Sequence, residues 1–179
     1  MDLTFSLIII SFYLHEISAF CTIPEDSNTK MEWHTCRIND PIKYHALFAV
    51  DKHGKAMHKF TIDSPFTVVA DIYNRNGVMD NLKSKVKVWR WTGQKYHCYW
   101  RELPTFKAFD NLLRCNETIK CPLKPGRQII RFDVDLSAFS QIAAFWPKNS
   151  AYRIRFETHT ANSSQSSTCL IFESLIELK

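Results

Sequence analysis

The chain has 179 residues, of which 45% are hydrophobic, and its 23 Lys and Arg exceed its 18 Asp and Glu to give a formal net charge of +5. This length corresponds to one globular domain. The charges are scattered without a block of five like charges, which indicates a solvated basic surface. Beyond the N-terminus, no segment is long and apolar enough to suggest a membrane-spanning helix.

The chain begins with an almost unbroken apolar run from Leu3 to Leu14. That is the length of a signal-peptide core and is too short for a transmembrane helix, and Ala19 offers a small residue for cleavage. The segment departs from the usual pattern because Asp2, and no Lys or Arg, precedes the apolar run. We predict a signal peptide over residues 1–19, a mature domain over 20–179, and a secreted or lysosomal protein. Cleavage removes Asp2 and Glu16 and would raise the formal charge to +7.

The mature sequence predicts a mostly β protein. Segments rich in β-branched and aromatic residues alternate with turn sequences, and the chain's four glycines fall in those turns. Short strands with turn signals between them predict an antiparallel, immunoglobulin-like β-sandwich. The predicted strands cover residues 44–50, 57–62, 66–73, 85–91, 96–100, 128–134, 151–158 and 169–178.

Two segments do not alternate. Residues 104–113 have apolar side chains at helical spacing, with Thr105 placed to cap the first turn, so they predict one short helix. Residues 136–146 are apolar and poor in charge and end at Pro147, which fits either a helical turn or an insertion loop.

The cysteines indicate an oxidising compartment. Six cysteines predict three disulfides, for which 15 connectivities are possible, and their spacing does not fit a zinc site. Cys115 and Cys121 would close a small loop that contains the N-glycosylation acceptor Asn116. Asn162 begins a second acceptor sequence.

The sequence offers no catalytic set. It contains no nucleophile-elbow, zinc-protease or glycine-rich phosphate-binding motif. With six cysteines paired, no free thiol remains as a nucleophile. We therefore expect a protein that is not an enzyme and that has no cofactor and no metal.

The positive signal is an excess of aromatic residues in the second half of the chain. The alternative interpretation is an ordinary sandwich core. Two details favour more than a core: Trp89 and Trp91 share a strand face with lysines, and Phe139, Phe145 and Trp146 lie in segments that do not alternate. Apolar residues in loops often line the mouth of a cavity or meet a membrane.

The order of several motifs resembles the ML lipid-recognition family, and most closely its ganglioside activator type. The motifs are Cys115-x5-Cys121-Pro-Leu-Lys-Pro-Gly126, then Phe132 to Leu136, Tyr152-Arg-Ile-Arg-Phe156 and Cys169-Leu-Ile-Phe-Glu-Ser174. The resemblance covers roughly the last 70 residues. It implies the disulfides Cys21–Cys169 and Cys115–Cys121, which leaves Cys36 to pair with Cys98.

The resemblance also implies a function. Two sheets would separate to form an apolar cup that holds lipid tails and presents the lipid to a membrane or to a partner enzyme or receptor. The lipid could be a glycolipid, sterol, phospholipid or fatty acid, and no nucleic acid is expected. A protein-binding sandwich with a filled core is the main alternative, and a lipid-modifying enzyme is a weaker third. The predicted lipid-binding residues are Phe66, Val68, Trp89, Trp91, Phe106, Phe109, Phe132, Phe139, Phe145, Trp146, Tyr152, Ile154 and Phe156.

Overall fold

The computed structural model describes residues 21–24, 31–94, 97–107, 109–110, 112–137, 140–148, 150–160 and 168–177. The predicted signal peptide, Phe139 and Asn162 lie outside the described residues. The described part contains ten strands and one helical turn. They are β1 (Glu32–Thr35), β2 (Ile42–Val50), β3 (Ala56–Met57), β4 (Lys59–Thr61), β5 (Phe66–Asn74), β6 (Leu82–Gln94), β7 (His97–Leu103), β8 (Gly126–Val134), α1 (Ser140–Ala143), β9 (Ser150–Thr160) and β10 (Thr168–Glu177).

The strands form two sheets, which confirms the predicted mostly β sandwich. The large sheet has the order β1-β10-β9-β6-β7, and β4 also pairs with β10; the small sheet has the order β3-β2-β5-β8. All pairings are antiparallel except that of β4 with β10. The predicted strand over residues 57–62 is split, because β3 belongs to the small sheet and β4 to the large sheet.

Alternation in the sequence explains which strand faces point inward. In β8, Ile130 and Phe132 pack against the core, while Arg131 and Asp133 are exposed. In β9, Tyr152 and Phe156 are buried in the core cluster. Such a period of two places one face of each strand against the opposite sheet.

The predicted helix over residues 104–113 is wrong for the described residues, which form turns. Backbone amides of this segment and of the adjacent β6 edge are satisfied by side chains: the Ser84 hydroxyl accepts the Leu113 N–H at 3.0 Å, and the Asp110 carboxylate accepts the Val86 N–H at 3.2 Å. Further on, Ile119 forms a bridge to Phe132. The segment therefore runs from the edge of the large sheet to the edge of the small sheet.

The structure corrects two of the three expected disulfides. All six cysteines are described, and the bonds are Cys21–Cys98, Cys36–Cys169 and Cys115–Cys121. The expected Cys21–Cys169 and Cys36–Cys98 bonds are wrong because β1 pairs with β10 in a register that sets Cys36 beside Cys169, and the Cys36 N–H donates to the Cys169 carbonyl at 3.1 Å. Within the described chain, no disulfide joins a strand of the large sheet to a strand of the small sheet.

Gly93 was expected in a turn, but it lies in a strand, where neighbouring atoms leave no room for a side chain. Gly93 lies inside β6, with φ +153°, and pairs with Cys98. A Cβ atom there would lie 2.0 Å from the His97 carbonyl oxygen and 2.9 Å from Cys21 Sγ. The Cys21–Cys98 disulfide therefore packs directly on this glycine, close to the end of the β6–β7 hairpin.

Candidate functional site

The inner faces of the two sheets enclose an apolar cavity of about 80 Å³. Among the described residues, its lining contains no charged side chain. The lining includes Leu82, Val86, Val88, Tyr152, Ile154, Phe156, Leu170, Phe172 and Ile176 of the large sheet and Ile42, Leu47, Phe66, Val68, Ile130, Phe132 and Val134 of the small sheet.

The sheets are not in full contact around this cavity. Ile154 lies in the middle of β9 and points inward, yet it is only partly buried, whereas its cross-strand neighbour Val88 is 1% exposed. Phe172 of β10, which pairs with Ile154, is also partly buried. On the small sheet, Ile130 and Phe132 likewise keep accessible surface. Apolar surface therefore remains uncovered between the sheets.

One end of the cavity is closed by stacked aromatic rings. The Trp146 ring lies 5.6 Å from the Phe109 ring and 5.6 Å from the Tyr152 ring, measured between centroids. The Tyr152 hydroxyl donates to the Pro147 carbonyl at 2.6 Å, and burial raises the pKa of Tyr152 to about 12. These contacts join the segment that follows β7 to the segment that precedes β9.

The other end of the cavity carries hydroxyl groups, which we name the hydroxyl row: Ser84, Thr158 and Thr168. These residues face each other directly across β6, β9 and β10. All three are buried, and Thr158 and Thr168 line the cavity. Within the described part of the chain, the Thr158 hydroxyl has no hydrogen-bond partner; the Thr168 hydroxyl makes no hydrogen bond of good geometry, although the Tyr44 phenol lies close enough to interact with it. An unpaired buried hydroxyl costs roughly 1–3 kcal/mol.

The phenol of Tyr44 lines the cavity near this row. Burial raises the pKa of Tyr44 to about 12; the neighbouring Thr168 hydroxyl favours the phenolate and the Asp40 carboxylate disfavours it. Asp40 itself is buried, accepts the Cys169 N–H at 3.2 Å and forms an ion pair with Arg37 at 2.7 Å. Burial nevertheless raises the pKa of Asp40. The Asp40 side chain thus holds the loop between β1 and β2 against β10, next to the hydroxyl row.

The cavity brings together eight of the thirteen predicted lipid-binding residues. Those that line it are Phe66, Val68, Phe109, Phe132, Trp146, Tyr152, Ile154 and Phe156. Phe139 lies outside the described residues, and the remaining four do not line the cavity.

Trp89 and Trp91 lie on the outer face of the large sheet. Val86 and Val88, which alternate with them along β6, are the residues that line the cavity. The Trp91 indole N–H donates to the Thr22 carbonyl at 2.8 Å, and its ring lies 5.2 Å from that of Trp100. Trp91 therefore joins the N-terminal segment to the β6–β7 hairpin, and both indoles lie away from the cavity.

Phe106 and Phe145 are presented to solvent, with 81% and 89% of their surfaces exposed. Phe106 and Lys107 both have positive φ, 49° and 59°, which is uncommon for residues other than glycine and costs energy. Both phenylalanines adjoin the stacked rings, because Phe145 precedes Trp146 and Phe106 is three residues before Phe109. Each of the two loops thus carries an exposed aromatic side chain within three residues of a buried one.

Sequence reasoning missed part of the cavity. Phe60 was not predicted, because its strand β4 is too short to show a period. The Phe60 ring centroid lies 4.6 Å from that of the predicted Phe66 of β5, so the two rings pack across the two sheets. The hydroxyl row was also missed. Alternation could have found Thr158, because it shares a strand face with Tyr152, Ile154 and Phe156.

Other types of site are not seen in the described residues. No group of three or more His, Cys, Asp or Glu side chains there could hold a metal ion. Nor does any helix in the described ranges have the length and apolar character needed to cross a membrane.

Comparison with known proteins yields structural similarity alone. No protein-family model matches the chain, and no curated protein matches its sequence. Among solved structures, a Niemann-Pick type C2 protein from Japanese carpenter ant is similar with a TM-score of 0.49 and 12% identity, over 82% of this chain and 99% of that chain. The C-terminal domain of wzt is similar with a TM-score of 0.44 and 7% identity, over 87% of this chain and 82% of that chain.

Proposed function

We propose that the protein binds the hydrocarbon part of a lipid between its two sheets, and that it acts by binding rather than by catalysis. The observation that carries this proposal is the uncharged apolar lining, which keeps accessible surface on Ile154, Phe172, Ile130 and Phe132. Removing methylene groups from water gains about 0.8 kcal/mol each, so ten of them supply about 8 kcal/mol before any polar contact forms.

The cavity must enlarge to take a lipid chain. Its volume of about 80 Å³ is well below the roughly 300–1,000 Å³ of ligand sites. Separation of the sheets is the natural route, because the disulfides stiffen the large sheet and the loop after β7 without joining the two sheets. Part of the free energy of lipid burial would therefore be used to separate apolar surfaces that touch in the empty protein.

We further propose that the exposed phenylalanines let the protein contact a membrane transiently. Phe106 and Phe145 lie beside the aromatic end of the cavity, and the neighbouring Lys107 and Lys148 are exposed. Aromatic side chains flanked by cations suit the interface of an anionic bilayer. Phe145→Ser should weaken flotation with vesicles containing phosphatidylserine, whereas Ile38→Ser, which changes another fully exposed apolar residue, should not. Equal flotation of Phe145→Ser and the parent would contradict the membrane proposal.

A secreted or lysosomal location, with glycans at Asn116 and Asn162, completes the proposal. Three disulfides are typical of oxidising compartments, and Asn116 is exposed. Thr118 also has a structural role: its hydroxyl accepts the Arg114 N–H at 2.8 Å and donates to the Leu112 carbonyl at 2.9 Å. In secreted protein, Asn116→Gln and Thr118→Ala should both remove one glycan, and Thr118→Ala should also lose about 1 kcal/mol of stability. Full glycan mass in both variants would contradict glycosylation at Asn116.

A protein-binding sandwich with a filled core is the second candidate function. The small volume of the cavity favours it, since a closed core of this size needs no ligand. The two candidates differ in one respect that can be measured, namely whether the space between the sheets admits a hydrocarbon.

Displacement of Nile red, a neutral apolar dye, tests the proposed function. The secreted protein should bind the dye, and long-chain lipids should displace it. Ile154→Trp fills the cavity and should abolish binding, whereas Lys87→Trp places the same side chain on the outer face of β6 and should leave binding unchanged. Failure of the parent protein to bind dye and lipid, or equal binding by the two tryptophan variants, would favour the filled core.

A further inference from the structure

The hydroxyl row marks the far end of the cavity from the stacked aromatic rings. Thr158 pairs with Ser84 on one side and with Thr168 on the other, so three hydroxyl-bearing residues cross the inner face of the large sheet in line. Directly opposed threonines on neighbouring strands commonly form a hydrogen bond with each other. Here the Thr158 and Thr168 hydroxyls do not, although the two residues are only 8% and 2% exposed.

Both hydroxyls are therefore buried donors and acceptors that lie against an apolar cavity; in the described chain Thr158 lacks a partner, and Thr168 has the Tyr44 phenol beside it. Native structures leave few buried polar groups unpaired. Ser84 differs, because its hydroxyl already accepts the Leu113 N–H. The unpaired capacity is thus greatest at Thr158. A hydroxyl has one donor and two acceptor positions, so the Tyr44 phenol beside Thr168 leaves that hydroxyl able to bond a ligand as well.

We propose that Thr158 and Thr168 form a recognition subsite for a neutral hydroxyl group carried by the lipid, which enters the cavity with that group first. This inference rests on the proposed function, since it assigns a ligand class to the same cavity. A single small hydroxyl at the end of a hydrocarbon would satisfy both threonines and leave the remaining carbon atoms against the apolar lining.

A carboxylate fits this end of the cavity poorly. An anion buried without a compensating cation is strongly disfavoured, and the cavity lining contains no charged residue among those described. The Asp40 carboxylate also disfavours a negative charge on the neighbouring Tyr44 phenol. The subsite should therefore discriminate a long-chain alcohol from the fatty acid of the same length.

Competition against Nile red with matched ligands tests this subsite. The ligands to compare are 1-tetradecanol, pentadecane, in which a methyl group replaces the hydroxyl, and tetradecanoic acid at neutral pH. The change from wild type to Thr158→Val/Thr168→Val should weaken tetradecanol about tenfold or more, the effect of losing the hydrogen bonds of both threonines in a dry site, and should leave pentadecane unchanged. In wild type, tetradecanoic acid should bind more weakly than tetradecanol.

The conservative pair Thr158→Ser/Thr168→Ser keeps both hydroxyls and should retain the preference for tetradecanol, which separates a recognition role from a packing role. If the double valine variant does not fold, each single valine variant should lose part of the same preference. If the valine changes affect tetradecanol and pentadecane equally, or affect neither, the subsite is refuted while the proposed function stands. If the wild type binds neither the dye nor any of the three ligands, the proposed function fails and this inference fails with it.

Discussion

Trp146 and Phe145 are neighbours in the chain, yet truncation of the first should lower the free energy of unfolding strongly and truncation of the second should hardly change it. Trp146 is 8% exposed and stacks against Phe109 and Tyr152, whereas Phe145 is 89% exposed. Truncation of a buried tryptophan to alanine costs about 3–5 kcal/mol. A change at an exposed position away from special contacts stays within about 0.5 kcal/mol. Trp146→Ala should therefore be several kcal/mol less stable than Phe145→Ala.

Thermal unfolding followed by circular dichroism measures this difference. For a domain of this size, each kcal/mol shifts Tm by roughly 2–4 °C, so Trp146→Ala should melt about 6–20 °C below the parent protein. Phe145→Ala should melt within about 2 °C of the parent. A Trp146→Ala Tm close to that of the parent, or a large loss in Phe145→Ala, would refute the assignment of Trp146 to the core and of Phe145 to the surface.

Two further predictions concern stability. Removing the long-range disulfide with Cys36→Ala/Cys169→Ala should lower the free energy of unfolding by about 5 kcal/mol in the chain-entropy model. Removing the short disulfide with Cys115→Ala/Cys121→Ala should lower it by about 2 kcal/mol. If urea unfolding shows the reverse order, these pairings are contradicted. Burial raises the pKa of Asp40, so the folded protein binds the proton of this carboxyl group more tightly than the unfolded chain does. The resulting stabilisation is fully present below the ordinary pKa of aspartate and is lost as the pH rises through the raised pKa of the folded state. Urea unfolding between about pH 3 and 7 should show this loss in the parent and not in Asp40→Asn, and identical slopes for the two proteins would contradict it.

The strands that could be predicted are those whose alternation is set by burial alone. Tyr152 and Phe156 of β9, and Ile130 and Phe132 of β8, face the core as their spacing indicates. In the loop after β7, by contrast, the spacing of apolar residues wrongly predicted a helix. Apolar residues recur there at helical intervals, but the Leu113 N–H is bonded by the Ser84 hydroxyl of β6 rather than by a carbonyl of its own segment, and Asp110 is used to accept the Val86 N–H of β6.

The short Cys115–Cys121 disulfide was predicted correctly, but the other two pairings could not be predicted, because they depend on contacts between segments that are far apart in the chain. Cys36 meets Cys169 only because β1 pairs with β10 with Thr35 opposite Leu170. The cavity was predicted only in part, also because some of its contacts depend on how distant strands pair. Strand alternation indicates which residues point inward, but the approach of Phe60 to Phe66 depends on β4 leaving the small sheet to pair with β10.

Native mass spectrometry of the secreted glycoprotein, with and without added 1-tetradecanol, tests the central claim most directly. If the two sheets separate to take a hydrocarbon, the spectrum should show a one-to-one complex whose extra mass is that of a lipid and is lost on collisional activation. Ile154→Trp should lack this complex under the same conditions, and Lys87→Trp should retain it. A spectrum that contains only protein and glycan mass at every tetradecanol concentration would contradict lipid binding and leave the filled core.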